Sequence, residues 1–179
     1  MEPRPLASLK RPYLRHERIA GPSATAEEEE LKMTSEDRFD LQRFVTAQKP
    51  VFETVLAELR AGRKRSHWMW FVFPQLAGLG QSSTSRFYGI SSIEEARAYL
   101  AHKLLGPRLD LCTRIVLTSE SSSLHAIFGS PDDMKFGSCM TLFSRATDEA
   151  DPDNPFRQAL DRWCDGRPDE RTLALLASD

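Results

Sequence analysis

Two short runs hold most of the chemistry that this sequence can offer. In "RAGRKRSHWMW", Arg63, Lys64 and Arg65 stand beside His67, Trp68 and Trp70. Guanidinium and ammonium groups grip phosphate oxygens, and an indole face receives a planar ring, so the set suits a phosphorylated aromatic ligand. In "FGSPDDMK", Ser130 and Pro131 lead into Asp132, Asp133 and Lys135. Paired carboxylates can orient sugar hydroxyls or act as acid and base at an anomeric carbon. His67 is a candidate general acid, with a structural donor as its alternative role. Each run also has a plainer explanation. Cations at a helix end offset its exposed carbonyls, and aspartates at a helix start offset its free amides, by roughly 0.3–1 kcal/mol each. A third candidate is the "GLGQSS" loop, as a lid or a phosphate-contacting turn. Cys139 would need a neighbouring base to act as a nucleophile, and no motif supplies one.

These residues need elements to hold them, and the apolar spacing is helical almost throughout. Leu41, Phe44, Val45, Gln48, Phe52, Val55, Leu56 and Leu59 recur at three- and four-residue intervals. Thr34 or Ser35 is expected to cap that stretch, Pro50 to kink or split it, and Gly62 to end it. "SSIEEARAYLAH" reads as a helix with a capping box, Ser91 and Ser92 each three residues ahead of a glutamate. Gly106 and Pro107 close it and open "PRLDLCTRIVLTS"; "SSSLHAIFG" is a short helix ending at Gly129. "SPDDMKFGSCMTLFSRA" is expected to start with Ser130 as N-cap and Pro131 at the first helical position. Asn154, Pro155 and Gly166 bracket another helix, and "PDERTLALL" forms the last. "WMWFVF" is either a short strand or a buried helical turn.

The expected fold is all-α, with six or seven helices and at most a short β segment near 68–73. Residues 1–35, with scattered prolines and a run of four glutamates, read as a poorly ordered extension. Residues 36–179 then form a single helical domain, and Met33 is an alternative start.

With 24 basic and 26 acidic residues, the totals favour neither a nucleic-acid backbone nor an anionic membrane as partner. Three widely spaced cysteines read as reduced core residues of a cytoplasmic protein. The longest apolar run, Trp68 to Phe73, is too short to span a bilayer. Nucleotide-loop, zinc-protease and serine-hydrolase motifs are missing, as is any zinc-ligand spacing. No metal or cofactor is expected; a phosphorylated small molecule is.

The stretches "DLQRFVTAQ", "LRAGRKRSHWMWFVFPQLAGLG", "YGISSIEEARAYL", "LGPRLDLCT", "IFGSPDDMK" and "MTLF" together resemble one family. It is the uncharacterised bacterial domain of unknown function "eighteen-ten", sometimes mislabelled calpastatin, and the likeness covers about Asp37 to Leu176. It implies a mainly α-helical domain and no established activity. Lys103, Gly137 and Thr84 depart from its pattern. A fainter likeness concerns the order of "RFVTAQK", "HKLLGPRLDLCT" and "IFGSPDDMKFGSCMTLF", which is similar to the NADAR or YbiA-like superfamily. Members act on N-glycosidic bonds of ADP-ribose or riboflavin-pathway intermediates. Their glutamate-histidine pair falls here on Gln42 and Arg43, so the resemblance implies Asp40, Asp132 or Asp133 in place of the missing acid.

The expected site joins the two runs. Arg63, Lys64 and Arg65 hold a phosphate or diphosphate, Trp68 or Trp70 stacks on a base, and Asp132 or Asp133 with Lys135 addresses a ribose. Gln48, Gln75 and Ser130 complete the set of ligand contacts. Hydrolysis of an ADP-ribose-like N-glycosidic bond is the leading reading. Its rival is a non-catalytic module for a phosphorylated ligand or an acidic partner segment. A third reading is structural, with the cations pinned by ion pairs to Asp132 and Asp133. The first two require the cations and the "SPDD" turn to converge.

Overall fold

In the computed structural model, residues 38–148 and 151–178 are described. The extension over 1–35 and the caps at Thr34 or Ser35 lie outside them. The periodic segments fold as α1 (Gln42–Gln48), α2 (Phe52–Arg60), α3 (Met69–Val72), α4 (Ser83–Phe87) and α5 (Ile93–Ala101). They are followed by α6 (Leu105–Leu117), α7 (Leu124–Phe128), α8 (Asp132–Ala146), α9 (Pro155–Trp163) and α10 (Glu170–Leu176). The described chain is all-α. Its helix count exceeds the expected six or seven because the first periodic stretch splits into α1 and α2, and because α3 and α4 are single turns, too short to show a helical period in sequence.

Local chemistry accounts for most boundaries. The chain breaks between α1 and α2 around Pro50, which has no amide to donate. Ser92 caps α5 by accepting from the Glu95 amide at 3.3 Å, and Asn154 caps α9 through the Phe156 and Arg157 amides at 3.1 and 3.2 Å. At α8 the expectation fails: Pro131 occupies the cap position and no side chain caps the helix, so Ser130 is not its N-cap. A first-turn amide is satisfied from within instead, Met134 N donating to Asp133 Oδ1 at 2.8 Å. Helix α6 starts two residues before Pro107 and takes in Gly106, where a Cβ would lie 2.0 Å from the Leu100 carbonyl oxygen. Only glycine permits that approach of α6 to α5.

The segment near 68–73 is helical, not β. Val72 N donates to Trp68 O at 3.1 Å, closing the turn of α3, and no strand occurs among the described residues. A lone parallel bridge joins Leu76 and Ile90. It draws together the ends of the glycine- and serine-rich connection that carries α4.

Helix α8 is the hub. It packs against α5, α7, α9 and α10, while α6 packs against α2, α5 and α9. Phe136, Cys139, Met140, Leu142 and Phe143 of α8 are wholly buried. Edge-on and tilted ring contacts link Phe44 to Tyr99 at 5.1 Å, Tyr99 to Phe143 at 5.4 Å and Phe143 to Phe156 at 5.7 Å. No helix among the described residues is long and apolar enough to cross a membrane.

Arg43 fastens α1 to this body. Its Nε donates to Phe87 O at 2.9 Å and its Nη1 to the carbonyls of Phe39 and Asp40. Its Nη2 donates to Gly89 O at 3.1 Å and Glu95 Oε1 at 2.6 Å. All five guanidinium hydrogens are therefore engaged.

Candidate functional site

The "RKRSHW" run leaves α2 as an extended segment whose side chains alternate. Lys64, Ser66 and Trp68 turn inward, while Arg63, Arg65 and His67 are exposed. Glu58, in the last turn of α2, clasps it. One carboxylate oxygen, Oε2, accepts from Arg65 N at 2.8 Å, Ser66 N at 3.2 Å and Trp68 Nε1 at 2.8 Å. Its other oxygen, Oε1, accepts from Ser66 Oγ at 2.7 Å. Burial pushes the Glu58 pKa up, but these four donors outweigh it and bring the value down to about 2. On the opposite side Lys64 N donates to Ile127 O of α7 at 2.6 Å. Gly62 supplies the preceding bend at φ 61°, where a Cβ would meet Ser121 Oγ at 2.6 Å.

So held, Lys64 reaches the first turn of α8. Its Nζ lies 2.7 Å from Asp132 Oδ2, and Lys135 Nζ lies 2.6 Å from Asp132 Oδ1. The pair is largely enclosed, with the Lys64 and Asp132 side chains 8% and 14% exposed. Burial would raise the Asp132 pKa, yet the bonds from Lys135 and Lys64 dominate and hold it below the usual carboxylate range. Each ammonium also faces an indole: Lys135 Nζ is 4.4 Å from the Trp70 ring centre and Lys64 Nζ 5.3 Å from that of Trp68. Two cations share one carboxylate, so one positive charge stays uncompensated by it. Asp133 turns to α7, its Oδ2 3.0 Å from His125 Nδ1.

The two runs thus converge, and they divide the expected residues. Lys64, Lys135, Asp132 and the half-buried Trp70 form one cluster. Arg63, Arg65 and His67 lie on the outward edge of the same segment and make no side-chain hydrogen bond or ion pair among the described residues. Trp68 is 1% exposed and packs on Phe73 and Phe128; its faces are covered, whereas Trp70 is half-buried. Gln48 is a core residue, donating through Nε2 to Phe71 O at 2.7 Å and Tyr99 OH at 3.1 Å, and accepting from Arg108. Gln75 contributes its carbonyl to Ile90 N at 2.9 Å. Ser130 is exposed ahead of α8. Burial raises the thiol pKa of Cys139 well above its ordinary value and that of Cys112 to about 12, which keeps both protonated and unreactive.

Two contacts had no motif to mark them. The Ile127 carbonyl is a backbone group. Arg43 and Glu95 are 52 positions apart. Glu58 did leave a trace: a carboxylate in the last turn of a helix sits against the negative end of its dipole, so it needs strong local donors.

A groove of about 680 Å³ runs between the ends of α2 and α6, bordered by Arg60, Gly62, Thr118, Ser119 and Glu120. It begins where the extended segment leaves α2. A smaller hollow of about 180 Å³ lies between the end of α8 and the start of α9.

The chain is similar to a solved structure, the conserved hypothetical protein Rv1873 from Mycobacterium tuberculosis. The two share 58% sequence identity over 79% of this chain and 99% of that one, with a TM-score of 0.76. No curated protein matches the chain. The family described as "Protein of unknown function (DUF1810)" matches residues 38–176, and the chain belongs to that family.

Proposed function

We propose that the protein binds a phosphorylated ligand carrying a planar ring, of the ADP-ribose type, at the cluster formed by Lys64, Lys135, Trp70 and Asp132. What carries the reading is the half-buried Trp70 ring 4.4 Å from Lys135 Nζ, beside two ammonium groups that share one carboxylate; the ion pairs alone are what the structural reading also expects. The surplus cation gives an anionic group a partner at little cost, since the lysines are already ordered. Lys135 then contacts phosphate oxygens while Trp70 receives the ring, and Arg63 and Arg65 extend the positive edge.

Binding without turnover is the form we favour. Hydrolysis at an anomeric carbon needs a protonated acid beside an ionised carboxylate, and Asp132 is held ionised by its lysines. A hydrolytic reading keeps one observation in its favour. Asp133 lies next to Asp132 and is hydrogen-bonded to His125, which could return a proton to it. The setting we infer is one domain over 36–179 in the cytoplasm, in keeping with a single buried cluster and three unpaired cysteines.

Calorimetric titration with ADP-ribose, ADP and ribose 5-phosphate tests the reading, beside chromatography of incubations with NAD and ADP-ribosylated nucleobases. Saturable binding with no released base is the expected result. Released base that disappears in Asp133→Asn replaces the binder by the hydrolase, and no binding of any of these compounds refutes both.

A further inference from the structure

Helices α2 and α6 lie side by side and run the same way. Arg108, near the start of α6, holds its guanidinium 4.2 Å from the centre of the Phe52 ring at the start of α2. Leu59 and Ile115, near the other ends, line one groove of about 680 Å³. Both helices therefore bring their carbonyl ends to this groove, and the aligned peptide dipoles leave roughly half a negative charge at each. The chain does not use up these acceptors. Arg60, Ala61 and Thr118 border the groove, and their carbonyls accept no hydrogen bond among the described residues. Glu120 adds a full negative charge just past the end of α6. Glu58, also at a helix end, is offset by four donors; Glu120 makes no hydrogen bond or ion pair among the described residues. Arg60 borders the groove from α2 and is likewise without an ion pair there. One hollow thus carries two opposite charges that do not bond each other, together with a surplus of acceptors.

We propose that this groove binds a small zwitterion whose ammonium is received by Glu120 and the helix-end carbonyls and whose carboxylate is received by Arg60. A short aliphatic chain joining the two charges then lies against Leu59 and Ile115. An ammonium has three hydrogens and no acceptor, which matches a place rich in acceptors and poor in donors. A guanidinium holds a carboxylate through two parallel hydrogen bonds. Each charged side chain also excludes a wrong ligand: Arg60 repels the second cation of a diamine, and Glu120 repels a simple fatty acid. The site does not rest on the nucleotide-binding cluster and shares no residue with it.

Nuclear magnetic resonance titration of the full chain with 4-aminobutyrate, 5-aminopentanoate and 6-aminohexanoate tests the proposal. Pentylamine, pentanoate and 1,5-diaminopentane serve as controls that carry charge of one sign. Saturable shifts of the Ser119, Glu120 and Ser121 amides are expected with at least one of the amino acids, and about fivefold weaker binding of every control. Glu120→Gln and Arg60→Gln alter exposed side chains and keep a hydrogen-bonding group without the charge. Each is expected to weaken the zwitterion about fivefold with an unchanged circular dichroism spectrum. The preference over pentanoate should vanish in Glu120→Gln, and the preference over pentylamine in Arg60→Gln, because each variant removes the partner of one end alone. Lys135→Met should leave all these responses intact, which separates this site from the first. No saturable shift of these amides with any of the three amino acids, equal affinity for any control, or an undiminished response in either groove variant overturns the proposal.

Discussion

The ammonium of Lys135 lies 4.4 Å from the centre of the Trp70 ring while it bonds Asp132 at 2.6 Å. One lysine therefore couples the aromatic surface to the acidic turn of α8. Replacing it with methionine keeps the stem and removes the charge. Lys135→Met is expected to weaken ADP-ribose by about tenfold or more, since a charge-assisted bond contributes roughly 1.5–3 kcal/mol. Trp70→Leu should weaken ADP-ribose and ADP and spare ribose 5-phosphate, which has no base to stack. Calorimetry on the three ligands checks both; equal losses for all three would exclude Trp70 as the stacking ring.

Asp132 restrains two like charges, so its removal should cost more than one ion pair. Asp132→Asn is expected to destabilise the fold by roughly 3–5 kcal/mol, the range for a buried pair losing one partner. Adding Lys64→Met should recover part of that loss, because it withdraws one of the stranded cations. Urea midpoints of the single and double variants give the coupling directly. The pH dependence follows from the depressed folded-state pKa of Asp132. Its contribution is complete above the unfolded-state pKa near 4 and is lost as pH falls through the lower folded value.

Glu58 behaves in the same sense over a defined interval. Its pKa drops from 4.5 unfolded to about 2 folded, so its stabilisation is full above pH 4.5 and disappears between there and pH 2. Glu58→Gln retains an acceptor oxygen without the charge. The variant should lose about 1–2 kcal/mol near neutral pH, after allowance for solvent screening. Its stability should fall less steeply than the parent's between those two pH values. Thermal melts across that range check it, and parallel acid limbs would contradict the clasp.

Arg43 has five hydrogens and five acceptors. Lysine offers three hydrogens from a single point and cannot span carbonyls on both sides of α1. Arg43→Lys is expected to lower stability by about 2–4 kcal/mol, through acceptors left without donors and a weakened bond to Glu95. A lower urea midpoint at unchanged m-value is the readout. Binding at the Lys135 cluster should persist in the folded fraction.

Helices whose ends are set by neighbouring residues were legible in the sequence. Asn154 and Pro155 announce α9, Ser92 announces α5, and Pro50 separates α1 from α2, because each acts over three or four residues. The start of α8 carries similar residues and still misleads, since Ser130 is followed by a proline that takes the cap position itself. The cation run was legible as chemistry and not as geometry. Its alternation sends two polar residues, Lys64 and Ser66, inward to a carboxylate, so no apolar period betrays which cations are enclosed. Gln48 stood on the periodic face of the first helical stretch as well as among the expected ligand contacts; the approach of Tyr99, Phe71 and Arg108 from other elements, which engages its amide, was not legible.

The two-sided segment from Arg63 to Trp68 has an evolutionary consequence. Odd-numbered positions face solvent and even-numbered ones brace the fold, so the outer row is free to drift. Related proteins can exchange Arg63, Arg65 or His67 for other side chains, which under the proposed function retunes the ligand they take, without disturbing the inner row of Lys64, Ser66 and Trp68. Diversification of ligand preference across such relatives should accordingly be written in every second residue of this stretch.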